Sequence, residues 1–141
     1  MSLYDLFETD EKLIREGAPI TFPANKDGTI PTFYCKRMSS SYQAYNAAIA
    51  RIFEKYDDEL KAAGDDVPQE LDDKIMTEVL IDYALVGWEN VRDRKGQSFE
   101  FSKQIAAALF NDLPELARVL RTRASALATY KVKKREEDAK N

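Results

Sequence analysis

The sequence predicts a mainly α-helical single domain of about four helices with a small β-hairpin at its N-terminal end. Two observations carry this expectation. Apolar residues recur at helical spacing along four stretches, and Asn25-Lys26-Asp27-Gly28 forms a turn signal between two short apolar runs that Pro23 and Pro31 keep out of helix. With 141 residues, 44% of them hydrophobic and 33% charged, the chain can bury ~70% of its unfolded surface and needs no metal or disulfide to hold a core.

Residues 3–16 mix Leu3, Tyr4, Leu6 and Phe7 with acids and read as a short helix or a lightly docked arm. The hairpin follows over about residues 18–37, with Ile20 and Phe22 on one arm and Ile30, Phe33 and Cys35 on the other. Ser40 and Gln43 then fit a capping box ahead of a long helix. Its stripe is Tyr42, Tyr45, Ile49, Ile52, Phe53, Tyr56 and Leu60, and Gly64 ends it. Asp65-Asp66-Val67-Pro68 opens a second helix carrying Leu71, Ile75, Met76, Val79, Leu80, Tyr83, Ala84 and Val86, closed by Gly87. Residues 88–101 read as an irregular link anchored by Trp88, with a turn at Asp93-Arg94-Lys95-Gly96 that joins two very short strands. Ser102 caps a third, short helix with Ile105, Leu109 and Phe110. Pro114 starts a fourth with Leu116, Val119, Leu120, Leu127 and Tyr130 on one side. The single domain is expected to occupy residues 1–130, and residues 131–141 form a charged extension with no stripe to bury.

The composition removes many function classes. There is no histidine and only one cysteine, Cys35, so zinc sites, Ser/His and Cys/His arrangements and internal disulfides cannot be assembled. No Gly-rich phosphate loop occurs. The acidic clusters Asp57-Asp58-Glu59, Asp65-Asp66 and Asp72-Asp73 lack the alternating spacing that converges on calcium. Glu78 and Asp82 sit one helical turn apart with Lys74 a turn earlier, the ladder of an ordinary helix surface as much as of an acid/base pair. Cys35 reads as a small buried hydrophobe. The expectation is therefore no catalysis, no cofactor and no metal. The start of the chain lacks a secretion signal, no apolar run approaches a membrane span, and a lone thiol suits a reducing compartment.

Charge is unevenly spread. Acids dominate residues 54–82, whereas residues 116–135 hold Arg118, Arg121, Arg123, Lys131, Lys133, Lys134 and Arg135 with no acid between them. Inside one fold these halves complement each other. Functionally, the basic helix could meet an acidic partner, with Arg118, Arg121 and Arg123 steering and Leu127 and Tyr130 supplying burial. On this view the last helix projects beyond the body, and truncation after Thr129 leaves the fold intact. Ile81 and Leu85, flanking the Lys74-Glu78-Asp82 stripe, are candidates for self-association. A nucleic-acid adaptor using the basic helix is the alternative, weighed against a net charge of −4.

Residues 85–125, with Trp88, Val91, Asp93, Gly96, Phe101-Ser102, Leu109 and Leu113-Pro114-Glu115-Leu116, resemble the C-terminal half of the tail assembly chaperones of long-tailed bacteriophages and prophages. That family shows a tryptophan closing a helix, a variable turn with glycine, an aromatic-Ser helix start and a last helix that opens on proline. The run FYCKRMSSSYQAYNAAIARI resembles its strand followed by a Ser-started helix. Trp88, Gly96, Phe101, Ser102 and Pro114 are the structural residues carried over. The resemblance implies a non-enzymatic protein of the host cytoplasm, absent from the finished virion. Such a protein binds the tape measure protein, helps recruit tail tube protein and is a possible homo-oligomer.

Overall fold

The computed structural model describes residues 1–133, so most of the expected charged extension, with Lys134 and Arg135, lies outside the described residues. The centre of the fold is a three-stranded antiparallel sheet in the order β1 (Ala18–Thr21), β2 (Thr32–Cys35), β3 (Leu85–Glu89). Ala18 pairs with Cys35 and Thr21 with Thr32, which makes the N-terminal hairpin as expected; β3 then adds to its other side, Thr32 opposite Glu89 and Phe33 opposite Trp88. Asn25 and Asn90 clamp the hairpin turn to the end of β3: Asn25 Nδ2 donates to the Asn90 carbonyl at 2.9 Å, and Asn90 Nδ2 to the Ile30 carbonyl at 3.1 Å.

Helices surround this sheet: α1 (Leu3–Phe7), α2 (Glu11–Glu16), α3 (Gln43–Lys55), α4 (Asp57–Ala63), α5 (Gln69–Val79), α6 (Lys103–Asp112), α7 (Pro114–Ser125) and α8 (Leu127–Tyr130). Among the described residues, eight helices with a three-stranded sheet make this a mixed α/β fold, which corrects the expectation of about four helices and a hairpin. Each difference has a local cause. The long predicted helix breaks at Tyr56, whose backbone (φ −104°, ψ 17°) leaves the helical region while its ring stays in the core. Its capping box does not form: Tyr42 is the N-cap and makes no side-chain cap bond, and Ser39 Oγ accepts from the Ser41 amide. The last predicted helix breaks at Ala126, in extended conformation between α7 and α8. Residues 3–16 resolve into two short helices, the first opened by a Ser2–Asp5 capping box.

The largest correction concerns residues 80–89. Periodicity carries a helix to Val86, but α5 passes into a π-helical turn, Leu80–Ala84, and the chain then leaves as β3. Pairing with the free side of β2 outweighs local helix propensity at residues 85–89, where Val86 and Trp88 suit a strand and Gly87 weakens a helix. Val86, placed on the apolar helix face by its spacing, is 42% exposed.

The main core joins Ile20, Phe33 and Cys35 from the hairpin with Ile52, Tyr56, Ile75, Val79, Leu80, Phe110 and Leu120 from the helices. A second, smaller cluster of Ile14, Ala18 and Tyr130 ties the two ends of the chain together. There Thr9 bridges Lys131, and the Asp10 amide donates to the Tyr130 carbonyl at 2.8 Å. The turn from α2 into β1 requires Gly17, with φ 113°, where an added Cβ would meet Val86 Cγ2 at 2.9 Å.

Candidate functional site

The basic last helix is occupied by the fold itself. Arg118 and Arg121 converge on Asp73 of α5 at 2.5 and 2.9 Å, joining the acidic middle of the chain to its basic end. The Asp73 carboxyl is held down at about 2, chiefly by hydrogen bonds from Arg121 and then Arg118. Arg123, which helical spacing puts inside the apolar stripe, lays its guanidinium over the Phe22 ring at 5.6 Å and donates to the Thr21 carbonyl at 2.8 Å. Leu127 is half-buried. Tyr130 is fully buried, and its hydroxyl donates to the Cys35 carbonyl at 2.7 Å. Arg118, Arg121, Arg123 and Tyr130 therefore bind α7 and α8 to the body, and Tyr130 offers no surface to a partner.

The self-association candidates separate in the same way. Leu85 begins β3 and is 3% exposed, and Ile81 packs half-buried against the core. Glu78 and Asp82 face α3, not a cleft: Glu78 accepts from Lys55 Nζ and from the Tyr56 hydroxyl, and Asp82 pairs with Arg51. Burial, followed by the Glu78 contact, pushes the Tyr56 hydroxyl up to about 12. Cys35 is buried, and desolvation raises its thiol to about 12, the behaviour of a core side chain. Among the described residues no group of acids and cysteine is placed to hold a metal ion, and no helix is long and apolar enough to cross a membrane.

What stays open is a groove of about 600 Å³ between the 92–97 turn and α6, which the sequence reading missed. Its construction can be followed from β3. Trp88 points into the core, donates through Nε1 to the Phe99 carbonyl at 2.9 Å, and meets the rings of Phe33, Phe99 and Phe101 edge-on at 5.1–5.7 Å between centroids. This pins residues 99–101 beside the sheet. Ser102 Oγ then accepts from the Ile105 amide at 3.0 Å and starts α6, as its sequence position predicts. The turn itself is as expected: Asp93 Oδ1 accepts from the Lys95 and Gln97 amides, Gly96 takes φ 82°, and Arg92 bridges Ser98.

The groove floor is apolar and lies along one face of α6: Ile105, Ala108, Leu109 and Leu113, with Phe99 behind. Ile105 is 38% and Leu113 48% exposed. Arg94 and Lys95 stand on the turn side, exposed and without an ion pair among the described residues, while Arg92 is held by Asp27 at 2.8 Å. Asp112 lies on the helix side. The sequence signal that could have found the groove was α6 itself, too short for the number of apolar residues it carries: only Ala106 and Phe110 are fully buried.

A family model described as the YdaY prophage protein matches residues 39–141, from the segment before α3 onward. The chain belongs to the YdaY prophage protein family. No curated protein and no solved structure matches it. Membership supports a phage or prophage protein and leaves the tail assembly chaperone likeness, whose residues 85–125 fall inside the YdaY match, as the finer question. Within this YdaY protein, Trp88, Gly96, Phe101, Ser102 and Pro114 do not line the groove themselves but sit next to residues that do: Trp88 donates to the Phe99 carbonyl, Gly96 lies between Lys95 and Gln97, Phe101 and Ser102 lead into α6, and Pro114 follows Leu113.

Proposed function

We propose that this prophage protein is a non-enzymatic tail assembly chaperone that holds a helix of the tape measure protein in the groove beside α6 and helps recruit tail tube protein. It would act in the host cytoplasm and be absent from the finished virion. The observation that carries the reading is the groove: an apolar floor along α6 with basic side chains on its rim that have no ion pair among the described residues, lying inside the 85–125 segment on which the chaperone likeness rests. An amphipathic helix recognises such a surface through residues spaced three and four apart, and acids on its flank find Arg94 and Lys95. A basic rim also slows non-productive encounters with other basic surfaces while steering acidic clients.

The test is co-expression with the neighbouring open reading frames, followed by capture of the full chain and identification of what it retains. Retention of the long helical protein encoded nearby, resistant to high salt and weakened at least tenfold by Ile105→Asp or Leu113→Asp, is the expected result. Retention unchanged by both groove variants would refute the placement. Binding to duplex DNA that falls steeply with salt would refute the chaperone reading itself.

A further inference from the structure

A second apolar surface lies at the other end of the molecule. In α1, Leu3 is 71%, Tyr4 77% and Phe7 62% exposed, and their spacing places all three on one face of the helix. This is the largest run of exposed bulky apolar side chains among the described residues. It is also held in place: the capping box fixes its first turn, the Glu8 amide closes on the Tyr4 carbonyl at 2.9 Å, and the Val132 amide donates to the Glu8 carbonyl at 3.0 Å. An apolar helix presented on a tied-down stem is a ligand without a receptor.

We infer that α1 of one copy docks in the α6 groove of a second copy. Three observations select this occupant. The two surfaces match in kind, since Leu3, Tyr4 and Phe7 offer helix-spaced anchors and Ile105, Leu109 and Leu113 offer a helix-lined apolar floor. They match in charge at one end, since Glu8 stands at the C-terminal end of α1 and Arg94 and Lys95 border the groove on its turn side; Asp5, inside α1, is already held by Ser2. They cannot meet within one chain, because the junction of α1 and α2 is fixed near the Ala18–Cys35 end of the sheet. The 92–97 turn emerges instead from the opposite end, after Glu89. The contact is heterologous, one patch meeting a different patch, so it either closes by reciprocal exchange between two copies or continues into a larger assembly. It replaces the self-association surface that Ile81 and Leu85 suggested, whose second member lies inside the core. The inference borrows from the proposed function only that the groove takes a helix; a second copy and a client would then compete for it.

The experiment uses full-length chains. A Phe7→Cys chain is mixed with an Ile105→Cys chain under mild oxidation, with Phe7→Cys plus Val67→Cys as the control pair; Cys35 is buried and does not interfere. The mixed pair should give at least tenfold more disulfide-linked heterodimer than the control. In sedimentation, the unmodified chain should associate with rising concentration. Phe7→Asp, or Arg94→Glu with Lys95→Glu, should weaken association by about tenfold or more, and Glu8→Lys should recover part of the loss in the charge-reversed chain. These are exposed positions, so folding is retained and circular dichroism checks it. Equal cross-linking in both mixtures, or a monomer throughout the measurable range, overturns the inference. Self-association by the unmodified chain with no capture of the long helical protein would instead count against the proposed function, whereas client capture lost in Ile105→Asp with self-association intact would overturn the inference.

Discussion

Removing Tyr130 tests the reassignment of the last helix most directly. Its side chain has no exposed surface, packs with Ile14 and Ala18, lies 5.8 Å below the Arg37 guanidinium, and donates to the Cys35 carbonyl. Deleting a buried aromatic side chain costs about 3–5 kcal/mol, part transfer and part cavity. Deleting only the hydroxyl removes one buried hydrogen bond, worth ~1 kcal/mol net, and leaves the Cys35 carbonyl with its strand partner alone. Truncation after Thr129 removes the ring, its hydroxyl bond, the Thr9–Lys131 bridge and the Val132–Glu8 bond together, so its cost exceeds that of Tyr130→Ala. Set against a total of about 5–15 kcal/mol for a domain, the truncated chain should be destabilised by a third or more. Its unfolding midpoint should fall well below that of the unmodified chain, contrary to the expectation that this truncation leaves the fold unaffected. Urea unfolding followed by tryptophan fluorescence orders the variants: unmodified, Tyr130→Phe, Tyr130→Ala, truncated. A truncated chain with an unchanged midpoint would refute the assignment of Tyr130 to a structural cluster.

Asp73→Ala should cost about 1–2 kcal/mol by leaving Arg121, whose side chain is 14% exposed, without its acid. Because the Asp73 carboxyl is depressed in the folded state, its contribution is present above the ordinary aspartate value near 3.9 and is lost as pH falls toward about 2; acid titration of stability in the two chains should converge there. Ser102→Ala should cost about 0.5–2 kcal/mol by removing the cap of α6, read as a lower thermal midpoint. The Cys35 thiol, held up at about 12, should resist a thiol reagent at neutral pH and react at once in urea; rapid reaction in the folded state would show that the strand is not packed as described.

Local chemistry was legible wherever a side chain acts on its own backbone. The Asp93–Gly96 turn, the Ser102 cap, Pro114 at the start of α7, the left-handed Gly64 that ends α4, and the burial of Cys35 all follow from residue type and spacing. What was not legible depended on distant partners. Residues 85–89 carry enough apolar character to continue a helix, and only the unpaired side of β2 makes them a strand. The arginines of α7 look free in a linear charge count, because Asp73 lies 45 residues from Arg118 and meets it only after folding. Tyr130 looked like the end of a stripe because the cluster that receives it is built from the first residues of the chain. The groove escaped notice for the same reason: one wall is a turn, the other a helix, and no single segment displays it.

The Thr9–Lys131 bridge has a consequence for the order in which the molecule assembles. A contact between segments separated by nearly the whole chain pays the full loop-closure entropy unless the intervening part has already collapsed. The sheet and the main core must therefore form first, and the small cluster of Ile14, Ala18 and Tyr130 closes last over a finished body. By the same logic it opens first: amide hydrogens at Asp10 and Val132 should exchange through a sub-global opening well below the free energy that releases Ile75 or Leu80. While that latch is open, the stem of α1 is released and its apolar face loses its fixed orientation, so a newly made chain is not yet able to engage a neighbour through it.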